Sequence, residues 1–190
     1  HKDRILSWLL SNDQFEKAII FTNTRTESER LNVFLRQHSC RCAVLHGELS
    51  QDQRNATMQL FREGKINVLV ATDVASRGLD VKGIDLVVNY DMARKGDDYV
   101  HRIGRTGRAG AEGHSISFAC EKYIYNLPAI EEYIEHTIPV CHYDKTALLT
   151  DLPRPIHTKR ARPGNSRSMN DRNKTRRTGQ RQHNTHNKTH

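Results

Sequence analysis

The 190-residue chain predicts an α/β fold, an open parallel sheet with helices on both faces, followed by a disordered basic tail. Three observations carry that prediction. Short β-branched runs alternate with helical patterns through about residue 135, the signature of a parallel sheet flanked by helices. Three of the runs, Ala18-Ile-Ile-Phe21, Val68-Leu-Val-Ala71 and Leu86-Val-Val88, are apolar on both faces, as buried parallel strands are. Charge is also segregated. From Arg154 to His190 there are 11 Lys and Arg against the single acid Asp171, whereas the rest of the chain has 19 basic and 21 acidic residues. The net +8 therefore describes the tail. With only Ile156, Ala161 and Met169 as apolar residues there, the tail cannot offset the entropy of ordering it.

The elements follow in order. Strands are expected at Lys17 to Thr22, Arg41 to Leu45, Ile66 to Ala71, Ile84 to Tyr90 and His114 to Ala119. Between the first two, Glu27 to Gln37 places Leu31, Phe34 and Leu35 at helical spacing. The next helix is punctuated by a capping box, Ser50 with Gln53, a buried stripe of Leu60 and Phe61, and Gly64 as a left-handed stop. A last helix, Lys122 to Glu135, aligns Tyr123, Leu127, Ile130 and Ile134, with Pro128 expected to kink or divide it. Residues 1-150 form the expected domain and 151-190 the tail.

Composition excludes several classes. No run of 18 apolar residues occurs, so no membrane-spanning helix is expected. Cys40, Cys42, Cys120 and Cys141 lack zinc-ligand spacing. They read as structural or incidental thiols in a reducing, cytoplasmic setting. No metal site is expected. The chain opens on His1 rather than Met, which suggests that a preceding part exists.

An open α/β sheet binds ligands outside the carboxyl ends of its strands. Asn23-Thr24-Arg25, Gly47 and Thr72-Asp73 fall there, and His101-Arg-Ile-Gly-Arg-Thr-Gly-Arg-Ala-Gly110 follows the fourth strand. Arginine forks match phosphate oxygens, and glycines let backbone approach a ligand closely.

Taken in order, Ile19 to Thr24, His46-Gly47 with Gln51 and Arg54, Ala71 to Asp80, and Tyr99 to Gly110 resemble the motifs of the second RecA-like domain of DEAD-box RNA helicases. The segment Gly113 to Val140 and the following Thr150 to Pro155 are similar to the bacterial RhlB type. The resemblance implies a RecA-like sheet and a set of roles. Arg105 and Arg108, three apart and so on one face of a helical turn, would be arginine fingers on the γ-phosphate of ATP. Asp80, with Gly78, would contact the nucleotide ribose. Thr24, Gly47, Gln51, Arg54, Thr72 and Gly78 would hold the RNA backbone without reading bases. His101, Arg77, Arg102 and Asp73 would serve the interdomain surface, with Asp73 orienting Arg77 or Arg102. Ordinary readings stand beside these: Thr24 also suits a helix cap, Gln51 a first helical turn, Asp80 a turn, and Arg105 with Arg108 a solvated surface pair.

Neither a G-x-x-x-x-G-K-[ST] phosphate loop nor an Asp-Glu-Ala-Asp box occurs. ATP and Mg²⁺ would then be held mainly by an N-terminal RecA-like domain, and this chain would be inactive alone. The expected function is the C-terminal half of an ATP-dependent RNA helicase. Its partners would be RNA, that N-terminal domain and an RNA-degradation complex meeting the surface around Ile116 to Val140. The second reading is a non-catalytic RNA-binding or protein-binding module acting mainly through its tail.

Overall fold

The computed structural model describes residues 1–12, 15–77, 81, 83–107 and 112–141, apart from the Asn12 side chain. The basic tail and the boundary expected near residue 150 lie outside them. The chain runs α1 (Lys2–Asn12), β1 (Ala18–Phe21), α2 (Arg25–Gln37), β2 (Cys42–Leu45), α3 (Gln51–Arg62), β3 (Val68–Ala71), α4 (Asp73–Ser76), β4 (Leu86–Asn89), α5 (Gly96–Ile103), β5 (His114–Ser117), a 3-10 turn (Ile124–Asn126) and α6 (Leu127–Ile134). All five strands are parallel, in the order β2-β3-β1-β4-β5. The chain leaves β1 for the β2 side, returns through β3, and then crosses to β4. The winding direction thus reverses at β1, whose carboxyl end faces the crevice where such sheets bind ligands.

The pleat sorts the apolar strand residues between two cores. Ala18, Ile20, Val68, Val70, Leu86 and Val88 face Leu6 and Leu9 of α1 and Leu31, Phe34 and Leu35 of α2. Their neighbours Ile19, Phe21, Leu69, Ala71 and Val87 face Met58 and Phe61 of α3. Helices therefore cover both faces, as expected. A third cluster, Met92, Ala93, Tyr99 and Ile130, joins α5 to α6.

Several boundaries and one stripe differ from expectation. Thr24 caps α2, its hydroxyl accepting from the Glu27 amide at 3.2 Å, so α2 starts at Arg25. In α3, Met58 and Phe61 form the buried stripe while Leu60 is 39% exposed. Helical rotation carries adjacent residues about 100° apart, and here Phe61 turns to the core while Leu60 turns away from it. The helix expected over Lys122 to Glu135 is divided into the 3-10 turn and α6, with Pro128 in the first turn of α6, where its missing N–H has no intrahelical partner to lose. The Ser50–Gln53 capping box is present in both directions. Gly64 has φ +70, with open space where a Cβ would lie. Gly64→Ala is therefore expected to cost about 1 kcal/mol from backbone alone, read as a lower urea midpoint with unchanged slope.

An ion cluster docks α1. Arg30 donates to Asp3 at 2.9 and 3.1 Å and to Glu27, and the Tyr90 hydroxyl donates to Asp3 at 2.8 Å. Burial acts to raise the Asp3 carboxyl, but the bonds from Arg30 and Tyr90 outweigh it and hold the group below 3.8. A carboxylate depressed in the folded state stabilises above its unfolded value, and that contribution is lost as pH falls through the folded one. The urea midpoint should thus fall as pH drops below about 4, and Asp3→Asn should flatten that fall.

Candidate functional site

Arg102 organises the carboxyl edge of the sheet. The α5 sequence Gly96-Asp-Asp-Tyr-Val-His-Arg-Ile103 puts Tyr99 and Arg102 on the inner face, and Arg102 is 1% exposed. A guanidinium has five N–H donors, and each has an acceptor. The Nε donates to Asp73 Oδ1 at 2.6 Å, and Nη2 to Asp73 Oδ2 and Asn23 Oδ1, both at 2.8 Å. The Nη1 donates to Asn89 Oδ1 at 3.2 Å and to the Asp91 carbonyl at 2.7 Å. The guanidinium also lies 5.2 Å from the Phe21 ring centroid, a cation–π distance. One side chain thus ties the ends of β1, β3 and β4 together.

The acceptors are fixed in turn. The Asn23 amide donates to Asp91 Oδ2 at 3.0 Å and its side-chain Nδ2 to the Met92 carbonyl at 2.9 Å. Asn89 donates to Ser117 Oγ at 3.0 Å, extending the web to β5. Lys2 closes it from α1, its Nζ 2.8 Å from Asp91 Oδ1 and 4.0 Å from the Tyr90 ring centroid. With every acceptor oriented and the carboxylate paired, the buried charge is compensated.

Arg102, expected among the interdomain residues, has all five donors taken up inside this domain, and each Asp73 carboxylate oxygen accepts one of them. Arg77, by contrast, pairs with Asp98 at 2.9 Å rather than with Asp73, and its side chain is 62% exposed. His101 is exposed on α5.

The arginine-glycine segment begins within α5 and continues past its end. The helix ends at Ile103 with Gly104 as its cap, and Gly107 has φ +65. Arg105 therefore lies beyond the end of α5. Arg105 sits in the turn, its Nε donating to the His101 carbonyl at 3.1 Å. The Thr106 hydroxyl bonds the carbonyl of Ile84, which precedes β4. A Cβ on Gly113 would lie 2.0 Å from that hydroxyl oxygen, so only glycine fits. The segment thus starts at the carboxyl edge with Arg102 and runs back along β4, rather than lying wholly on that edge. Arg108, Gly78 and Asp80 lie outside the described residues.

The remaining candidates lie in the segments that follow β1, β2 and β3, with Gln51 and Arg54 in the first turn of α3. Thr24 spends its hydroxyl on the α2 cap. Gln51 opens α3, its side chain bonding Asn55 at 3.0 Å. Arg54 donates to the Ala75 carbonyl at 3.2 Å and so joins α3 to α4. Thr72 starts α4 without a side-chain cap bond. Gly47 is exposed, and an added Cβ would meet only Val74 at 3.8 Å. His46 beside it is 6% exposed, and burial holds its imidazole below the usual range. Among the described residues no cluster of His, Cys, Asp or Glu could hold a metal, the four cysteines are free, and no helix is long and apolar enough to cross a membrane.

Residues 1–110 match the family model of the helicase conserved C-terminal domain. The chain belongs to that family. Within it, the relatives of this helicase C-terminal domain are of DEAD-box, RhlB type. It is 53% identical to the ATP-dependent RNA helicase RhlB of Shewanella sediminis over 84% of this chain and 37% of the relative. With RhlB of Klebsiella pneumoniae the identity is 49%, over 89% and 40%. Among solved structures, the helicase C-terminal domain resembles the E. coli DEAD-box protein SrmB bound to regulator of ribonuclease activity A. That match has TM-score 0.72 and 36% identity, and covers 80% of this chain and 91% of that one. A DEAD-box protein of Methanococcus jannaschii matches with TM-score 0.67 and 38% identity, over 72% and 37%. The RecA-like fold is thereby established. The chain spans about two fifths of the length of the curated relatives it matches.

Asn89 and Asp91 were not singled out from sequence. The signal was present: a fully apolar run, Leu86 to Val88, ends in a polar residue where the next side chains should still be buried. Such a residue demands a buried partner.

Proposed function

We propose that this domain is the C-terminal half of an ATP-dependent RNA helicase whose hydrolytic site forms when it closes on an N-terminal RecA-like domain carrying ATP and Mg²⁺. Arg105 and Arg108 would reach the γ-phosphate, where charge spreads over phosphoryl oxygens in the transition state. Asp80 would accept from ribose hydroxyls, with Gly78 beside it. Thr24, Gly47, Gln51, Arg54, Thr72 and Gly78 would follow the RNA backbone. His101 and Arg77, both on the surface, would meet the other domain, and Asp73 would act from within by orienting Arg102. The observation that carries this reading is the Arg102 web. It fixes the ends of β1 and β3, which lead into the RNA loops, to the helix that leads into Arg105. Closure on one ligand therefore bears on the other through a rigid connection. The module reading without catalysis has no comparable support, since the relatives are named helicases. Relatives recorded with protein partners, SrmB with a ribonuclease regulator and Dbp5 with Gle1, favour a protein partner here too. We place it in an RNA-degradation complex and the protein in the cytoplasm.

Gly47 offers the cleanest test of the RNA loops. Because alanine fits there without a clash, Gly47→Ala should leave the melting temperature unchanged. It should weaken binding of mixed-sequence single-stranded RNA about tenfold, by holding a phosphate away from the backbone. Unchanged RNA affinity would remove Gly47 from the interface. For the tail, a chain ending at Pro153 loses 11 basic residues, so its binding should be weaker and its salt dependence flatter. An identical salt slope would assign the tail no RNA contact.

A further inference from the structure

At the opposite end of the sheet, where the strands begin, a cavity of about 230 Å³ lies between α1, the end of α2 and the segments entering β2 and β3. Leu10, Phe15 and Leu35 give it apolar walls, and Ser7, His38 and Asn67 supply polar ones. Three buried atoms of that lining have no hydrogen-bond partner among the described residues: Ser7 Oγ, His38 Nε2 and Asn67 Oδ1. Ser7 is only 6% exposed. Buried polar groups are paired in the great majority of cases, so three orphans on one cavity ask for an explanation.

Their chemistry has one sign. His38 Nδ1 lies 2.7 Å from the Phe34 carbonyl. A carbonyl only accepts, so Nδ1 carries the hydrogen and Nε2 is left as a lone-pair acceptor. Asn67 Oδ1 is an acceptor, and the Asn67 backbone is held by its amide donating to the Arg41 carbonyl at 2.9 Å. The Ser7 hydroxyl can accept as well. Both α1 and α2 end beside the cavity, with Ser11 in the last turn of α1 and His38 capping α2. Helix carboxyl ends carry partial negative charge. Arg41 also lines the cavity, but its Nη1 donates to the Gly64 carbonyl at 3.4 Å.

We infer that this cavity binds a small cationic N–H donor, a guanidinium or primary ammonium on a short aliphatic stem, through His38 Nε2, Asn67 Oδ1 and Ser7 Oγ. The site is at the far end of the sheet from the Arg102 web and is independent of the function proposed above.

Agmatine, which carries both cationic groups, is the probe, titrated into the ¹⁵N-labelled 190-residue chain. Spectra correlating the ring protons of His38 with its nitrogens should show a saturable shift of Nε2 as it accepts a hydrogen bond. Asn67→Leu and Ser7→Ala should each weaken agmatine binding about tenfold. The serine variant serves if the leucine variant does not fold. N-methylacetamide, a neutral N–H donor, should bind at least tenfold more weakly. Absence of a saturable Nε2 shift at millimolar agmatine would overturn the site, leaving water as its occupant. Equal binding by both variants, or by the neutral amide, would overturn the proposed contacts or the cationic class.

Discussion

Replacing Arg102 by leucine is expected to destabilise the domain by about 3 kcal/mol, near the lower end for breaking a buried ion pair. Five hydrogen bonds go at once, and Asn23, Asn89 and the Asp91 carbonyl lose a donor while buried or half-buried. Partial exposure of Asp73, 26% by side chain, lets water relieve its charge and keeps the loss from being larger. Arg102→Lys should recover little, because an ammonium cannot match a planar fork that spans three strand ends. Equilibrium urea unfolding of the two variants measures both effects. A loss below about 1 kcal/mol would show that the web is replaceable by solvent.

Substituting Arg105 by alanine in the full-length protein is expected to lower RNA-stimulated ATP turnover by at least about a hundredfold, within what arginine fingers contribute to phosphoryl transfer. RNA affinity should change little and the variant should still unfold cooperatively, since this residue lies in a turn past α5 and outside the Arg102 web. Separating the two arginine substitutions is informative. The Arg102 change should lower stability, and the Arg105 change should lower turnover in a protein that still folds. Near-normal turnover with Arg105→Ala would remove the finger assignment.

Much of the fold was legible because its signals are local. Continuous apolar runs bounded by turns mark β1, β3 and β4, and the Ser50–Gln53 box and Gly64 mark the ends of α3 in residues that touch one another. Less was legible where one residue answers to a distant one. Arg102 reads as one more cation in an arginine-rich segment, yet burial by Phe21, Asn23, Asp73 and Asn89 turns it into the centre of a structural web. Arg105 shows no local sign of where α5 stops, and the helix ends at Ile103 with Gly104 as its cap, which leaves Arg105 in the turn beyond it. The signal for α5 is weak, because it begins on glycine and two aspartates and is only eight residues long. Its inner residues, Tyr99, Arg102 and Ile103, keep helical spacing. The α1 helix showed Ile5, Leu6, Leu9 and Leu10 at helical spacing without a cap to announce it.

If ATP hydrolysis needs this domain's arginines together with a phosphate loop carried elsewhere, ATP turnover should differ between this chain and the full-length protein. Measured with and without RNA, the chain alone should show no RNA-stimulated turnover and the full-length protein robust stimulation. RNA-stimulated hydrolysis by the chain alone would contradict that requirement.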